Sequence, residues 1–269
     1  MKMLWSGIAH GAKIRSFQID HIGLSNGHRL KYRTSEVVRH SRGKTKTLPT
    51  MAVLSCSESK SFFPHDASHL VTKELIKRFR RDAKAEQFKQ VDYEKWFRFH
   101  LNEIHLDMCV TGDQSANEIG FVSSFTCVIV DEQTITFCQL GGTHLYLLRN
   151  GQVAHLSEGD LDIVKSSEDH RTCPVIASDP SKPFKNQMMG FGGRGHIQPL
   201  LVQFPHKKND VYGLFTEGVS SHLGGEGFRK RFRRTWTESG LDAQVKRLMK
   251  KMAGIGLDRS LASLVIKIM

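Results

Sequence analysis

Residues able to bind metals or anions are frequent in this sequence, but few stand at the spacing that a known chemistry demands. His65 and His69 are four apart, which puts two imidazoles on one face of a helix. No glutamate lies between them, so they lack the general base of a zinc-hydrolase helix and read as surface histidines near a helix start. The five cysteines (Cys56, Cys109, Cys127, Cys138, Cys173) are odd in number and form no Cys-x-x-Cys pair. That argues against both a disulfide framework and a structural zinc site, and they read as buried thiols. The run Gly190 to Gly195 could turn backbone N–H groups toward an anion, with Arg194 as the pairing cation. It lacks the Lys-Ser/Thr of a nucleotide-binding loop and reads as a glycine-rich flap. Phe228 to Trp236 interleaves cations with aromatics, as nucleic-acid sites do. On a helix, however, Phe228, Phe232 and Trp236 share one face, which predicts a core-facing stripe under a basic outer surface.

The elements that must carry these residues follow from periodicity. Phe17 to Leu24 alternates into Ser25-Asn26-Gly27, a strand and tight turn, with His28 to Tyr32 as the return strand. Residues 33–49 are rich in Arg and Lys and poor in apolar side chains, which predicts an exposed basic loop. Met51 to Leu54 is a short buried strand. Leu70, Leu75, Ile76 and Phe79 predict a helix from Asp66, and Trp96, Phe97, Leu101, Ile104 and Met108 a second over Asp92 to Met108. Four strands then read as a meander over residues 121–156, with Asn150-Gly151 the strongest hairpin signal. A helix near Asp160 to Glu168 precedes an irregular, flap-like stretch over residues 171–197. Strands at Leu200 to Phe204 and Val211 to Thr216, helices at Phe228 to Thr237 and Asp242 to Ala253, and a strand at Leu261 to Ile268 complete the pattern.

Of 269 residues, 39% are hydrophobic and 25% charged, enough for a sizeable core. No apolar run reaches the roughly 20 residues of a membrane span, and the first twelve residues do not read as a leader. A cytoplasmic protein is expected. The net charge of +12 attracts nucleic acid, acidic proteins and anionic membrane surfaces alike.

The order of elements, together with local motifs, resembles the PPM-type (type 2C) metal-dependent Ser/Thr protein phosphatases. Gln139 to Leu147, followed by Arg149, Gly151 and Leu156, is similar to that family's "ANVGDSRAYLxRxGxxxxL". Leu214 to Val219 (LFTEGV) is similar to its "LxSDGL", Asp258 to Ala262 (DRSLA) to its "DNxTxxVV", and Met189 to Gly192 stands at an "RALG"-like turn. The resemblance runs from about Ile19 to Met269. It implies an α+β fold, a four-layer α-β-β-α sandwich of two antiparallel sheets flanked by helix pairs, formed by residues 1–269 as a single domain.

The resemblance also implies a phosphoserine and phosphothreonine hydrolase whose water nucleophile bridges two Mg²⁺ or Mn²⁺ ions held by carboxylates. Aligning its "RxxNED" motif on Gly23 puts Asn26 at the Arg, Leu30 at the Glu and Lys31 at the Asp. Aligning its "DGxGG" strand on Met51 to Leu54 puts Ser55 and Cys56 at the bridging Asp and its Gly. Glu217 and Asp258 retain acids at metal positions, Arg259 replaces an Asn, and the meander's Asp falls near Gly142. Lys31 then either pairs with Glu217 or Asp258 in place of the metals or remains a rim charge.

So few converging carboxylates favour a phosphatase-like protein with a degraded metal site, a non-catalytic binding or regulatory domain that needs no cofactor and recognises a phosphorylated or acidic protein. Two rivals stay open. One is an active, divergent Mn- or Mg-dependent phosphatase that recruits acids such as Asp20, Glu36 or Glu58. The other is a basic protein that binds nucleic acid or an anionic surface.

Overall fold

A computed structural model describes residues 3–10, 20–24, 39–45, 49–57, 64–83, 92–113, 123–158, 197–234, 237–255 and 261–269. Two antiparallel sheets stack face to face. The first orders its strands β3 (Arg39–Thr45), β1 (Met3–His10), β11 (Leu261–Ile268), β10 (Val211–Thr216), β7 (Thr143–Arg149) and β8 (Gln152–His155). The second orders β2 (Asp20–Leu24), β4 (Thr50–Ser57), β5 (Ser123–Val130), β6 (Thr134–Leu140) and β9 (Leu200–Pro205). Helices α1 (Pro64–Asp82) and α2 (Tyr93–Asp113) cover the second sheet, and α3 (Glu217–Phe232) and α4 (Glu238–Gly254) cover the first.

Strand alternation builds the layers. Ala52 and Leu54 of β4, Val128 of β5, Leu145 and Leu147 of β7 and Leu214 of β10 meet between the sheets. Their neighbours of opposite parity face outward: Met51 and Val53 pack under α1 and α2, and Tyr146, Leu148 and Phe215 under α3 and α4. The outcome is the expected four-layer α-β-β-α sandwich.

The helices form where the spacing predicts. Val71, Leu75 and Phe79 of α1 and Phe97, Leu101 and Ile104 of α2 are buried against the second sheet. Asp92 caps α2, its Oδ1 accepting from the N–H groups of Glu94 and Lys95 at 3.0 and 3.2 Å. Thr237 caps α4 by accepting from Gly240 N at 3.0 Å. Asn150 and Gly151 both adopt positive φ, the requirement of a two-residue type I′ turn between β7 and β8.

Several expectations are corrected. Residues 3–10 form β1, inserted between β3 and β11; Met3 and Trp5 face the other sheet while Leu4 and Ile8 face the helices. A strand buried on both faces shows no alternation, which is why it escapes pattern reading. Within the basic stretch 33–49, Arg39–Thr45 is an edge strand paired with β1, a position where a charged strand resists further pairing. The meander is split: β5 and β6 lie in one sheet, β7 and β8 in the other. The third helix starts at Glu217 rather than at Phe228, and breaks at Gly224, where φ is 58°. Its first turns carry Gly218, Gly224, Gly225 and Gly227, which erase the helical signal. The expected return strand at His28 to Tyr32, the helix at Asp160 to Glu168, the flap save Ile197, and Trp236 lie outside the described residues. Among the described residues, no helix is long and apolar enough to cross a membrane.

Candidate functional site

One end of the sandwich gathers the described positions that the motifs single out, Ser55, Cys56, Gly142 and Glu217. There β4 ends at Cys56 and Ser57, β5 begins at Ser123, β10 hands over to α3 at Thr216 and Glu217, and β11 begins at Leu261. At the same end the chain crosses between sheets through Gly141 and Gly142.

The crossing is held by polar side chains facing the space between the sheets. Gln139 Nε2 donates to the carbonyls of Gly141 at 3.0 Å and Thr143 at 2.5 Å, and Thr126 and Thr143 share a hydroxyl–hydroxyl bond of 2.5 Å from sheet to sheet. Gly141 has φ of 81°, and a Cβ there would sit 2.6 Å from Ser124 Cβ, so the close approach and the turn both require glycine. Ser123 and Ser124 donate to the Cys56 carbonyl at 3.1 and 3.2 Å. Thr216 Oγ1 accepts from Ala262 N at 3.0 Å, fastening β10 to β11. These side chains form a neutral, hydroxyl-rich floor.

Strand parity reassigns the β4 positions. Ser55 shares its face with Met51 and Val53, and its Oγ donates to Ser68 O at 2.7 Å and meets Thr72 Oγ1 at 2.6 Å, both on α1. It therefore faces the helix layer and not the cleft. Cys56, of the same parity as Ala52 and Leu54, is the β4 residue turned toward the other sheet, and it is buried.

The first-motif register changes as well. β2 pairs Asp20 with Cys56 and Leu24 with Ala52, so the strand reaches the candidate site at Asp20 and runs away from it toward Leu24. Counting back from Asp20, Arg15-Ser16-Phe17-Gln18-Ile19-Asp20 keeps the Arg and the Asp of "RxxNED" at their spacing, with Ile19 in place of the Glu. That spacing is the signal the sequence reading passed over. Asn26, Leu30, Lys31, Arg194, Asp258 and Arg259 lie outside the described residues.

Glu217, which the motif resemblance puts at a metal position, has its carboxylate engaged on the outer side of the first sheet. Its Oε2 lies 2.5 Å from His144 Nε2, and His144 Nδ1 lies 3.0 Å from His155 Nε2. His155 stacks on Tyr146 with ring centroids 4.1 Å apart, and the Tyr146 hydroxyl meets Ser220 Oγ at 2.9 Å. His144 takes this side because it alternates with Thr143 and Leu145, which face inward. Nothing in the sequence motifs marks this chain of contacts. Gly142 has open space where a Cβ would stand and brings no ligand.

Two divalent cations need several converging oxygen donors. Among the described residues no group of three or more His, Cys, Asp or Glu is placed to hold a metal ion. The side chains described at this end are hydroxyls, a buried thiol and the Glu217 carboxylate, fewer charged oxygens than such a pair of ions takes.

No family model matches the chain, and no curated protein matches it in sequence. Solved structures do. The serine/threonine phosphatase PstP/Ppp of Mycobacterium tuberculosis superposes with a TM-score of 0.66 at 14% identity, over 100% of this chain and 99% of that one. The serine/threonine phosphatase Stp1 of Staphylococcus aureus gives 0.68 at 14% identity, over 98% and 94%. The catalytic domain of PstP in complex with two manganese ions gives 0.66 at 15% identity, over 99% of each chain. At such identities the likeness speaks for the fold alone, and the fold is that of these PPM-type serine/threonine phosphatases.

Proposed function

We propose that this protein is a non-catalytic member of the PPM fold, a binding or regulatory domain that recognises a phosphorylated or acidic protein partner at the open end of its sandwich. The observation that carries the reading is the occupation of Glu217 by His144, beside a buried thiol at Cys56 and a bare Gly142. An acid held by an imidazole on the outer side of the sheet is withdrawn from the inter-sheet space where cations would collect. No cofactor enters this reading. Manganese calorimetry together with p-nitrophenyl phosphate and phosphopeptide hydrolysis tests it. The expected result is no saturable high-affinity heat and no turnover above the metal blank. Manganese-dependent hydrolysis abolished by Asp258→Ala would overturn it.

A second reading has its own support. Asp20 stands opposite Cys56 in the β2–β4 register, so an acid not counted in the first alignment belongs to the candidate end. With Glu217 and Asp258 it makes three acidic positions for an active, divergent Mn- or Mg-dependent phosphatase. Loss of hydrolysis in both Asp20→Asn and Asp258→Ala, with folding retained, would decide for it.

A further inference from the structure

The basic face on the helix pair α3 and α4 has no role in the reading above, and its charges are distributed unevenly. Near the start of α4 the cations are matched: Asp242 takes Lys246 at 3.0 Å and Arg42 at 3.3 Å. On α3, Glu226 binds Arg229 at 2.7 Å and Lys230 at 3.5 Å. Beyond these pairs come Arg231, Arg233 and Arg234 at the end of α3, and Arg247, Lys250 and Lys251 in the second half of α4. None of the six has a carboxylate partner among the described residues.

Two cations are moreover crowded together. Arg231 Nε is buried without a hydrogen-bond partner, and burial together with the neighbouring Arg247 pushes its guanidinium below its ordinary range. A protein that keeps like charges close and unmatched meets a cost of repulsion and desolvation that an anion would relieve. On α4, Arg247, Lys250 and Lys251 fall on one side of the helix within about one turn, some 6 Å along the axis. With the arginines at the end of α3 they make a patch of cations drawn from two elements, broader than a single anion.

We infer that the exposed face of α3 and α4 binds the phosphodiester backbone of duplex nucleic acid. The patch of unmatched cations suits a polyanion. The surface also offers little of what an acidic protein interface needs at its centre: of the exposed large hydrophobics among the described residues, Phe99, Leu106 and Val110 lie on α2, and Ile255 alone borders the patch, four residues after Lys251. Among the described residues, no exposed large aromatic stands among the six cations. The contacts reach phosphates and carry no base readout, so binding is independent of sequence.

The test is fluorescence anisotropy of the full chain with a labelled 20-base-pair duplex of arbitrary sequence, titrated between 50 and 200 mM salt. With about five phosphates contacted, the log–log salt slope is about −4.5, a loss of roughly 500-fold over that range. Lys250→Glu/Lys251→Glu should weaken binding at least tenfold and reduce the slope by about two. Lys73→Glu/Lys95→Glu, the same charge change on exposed positions of α1 and α2, should alter affinity less than threefold. Arg233→Glu/Arg234→Glu provides a second variant pair, and circular dichroism checks that each remains folded. No binding at 50 mM salt overturns the inference, and so does an equal loss in the α1/α2 control. Displacement by poly-glutamate at matched charge would also overturn it, by making an acidic protein the occupant.

Discussion

Replacing Gly141 by alanine tests whether the sheet-to-sheet crossing is under steric control. Two costs add at this residue. A φ of 81° is left-handed, which a residue with a Cβ adopts at about 1–2 kcal/mol. The added Cβ would also stand 2.6 Å from Ser124 Cβ and 3.2 Å from its Cα, and relieving that overlap means shifting β5, an overpacking cost of about 1–3 kcal/mol. Together they destabilise the fold by about 2–5 kcal/mol, or roughly 5–15 °C in melting temperature at this chain length. The internal control is the next residue: Gly142 has no positive φ and nothing within 4 Å of its Cβ position, so Gly142→Ala should stay within about 0.5 kcal/mol of the parent. Urea unfolding followed by tryptophan fluorescence and far-UV dichroism measures both. If Gly141→Ala unfolds at the parent midpoint, or if Gly142→Ala loses as much as its neighbour, the crossing does not depend on glycine at 141.

Three further outcomes can be checked. Thr143→Val strands the buried Thr126 hydroxyl and should cost about 1–3 kcal/mol, while Thr126→Val/Thr143→Val should cost less than the sum of the two singles; strict additivity would count against the inter-sheet pair. Burial opposes the charged form of Asp82, but hydrogen bonds from Arg81 and the Trp96 indole and the nearby charges of Arg81 and His100 prevail, holding its carboxyl below the ordinary 3.8. A depressed acid stabilises the fold above its unfolded value and loses that contribution as pH falls through the folded one, so Asp82→Asn should flatten the stability profile below about pH 4. An unchanged acid limb would refute it. Burial raises the Cys127 and Cys138 thiols, so a native thiol titration at neutral pH should label Cys109 well before either; simultaneous labelling would mean that the helix layer over the second sheet opens freely.

Parts of this architecture are written plainly in the residues. The stripes of α1 and α2 repeat every third or fourth position, Asn150-Gly151 names its own turn, and β10 and β11 stand as short apolar runs bounded by turn residues. What escaped notice did so for physical causes. β1 is covered on both faces and shows no alternation, and the crossing at Gly141-Gly142 looks like any hairpin until its flanking strands are assigned to different sheets. The site was harder to read because a one-residue shift in a strand reverses its facing. Reading Ser55 as the cleft residue and Cys56 as its follower is a slip of that kind, and only the contacts of Ser55 with α1 expose it. Similarly, Glu217 was legible as an acid, but its engagement with His144 depends on two residues 73 positions apart.

The placement of β1 bears on how a nascent chain reaches this state. β1 pairs on one side with β3 and on the other with β11, so the second partner of an N-terminal strand emerges only after some 250 intervening residues. While the chain is still being made, one rim of β1 offers unsatisfied N–H and C=O groups next to apolar side chains, a state prone to mispairing. The five-stranded sheet has no such debt, since its last strand ends at Pro205. Synthesis should thus deliver one half-sandwich early, with the six-stranded half completed in a late, concerted closure when residues 261–268 arrive.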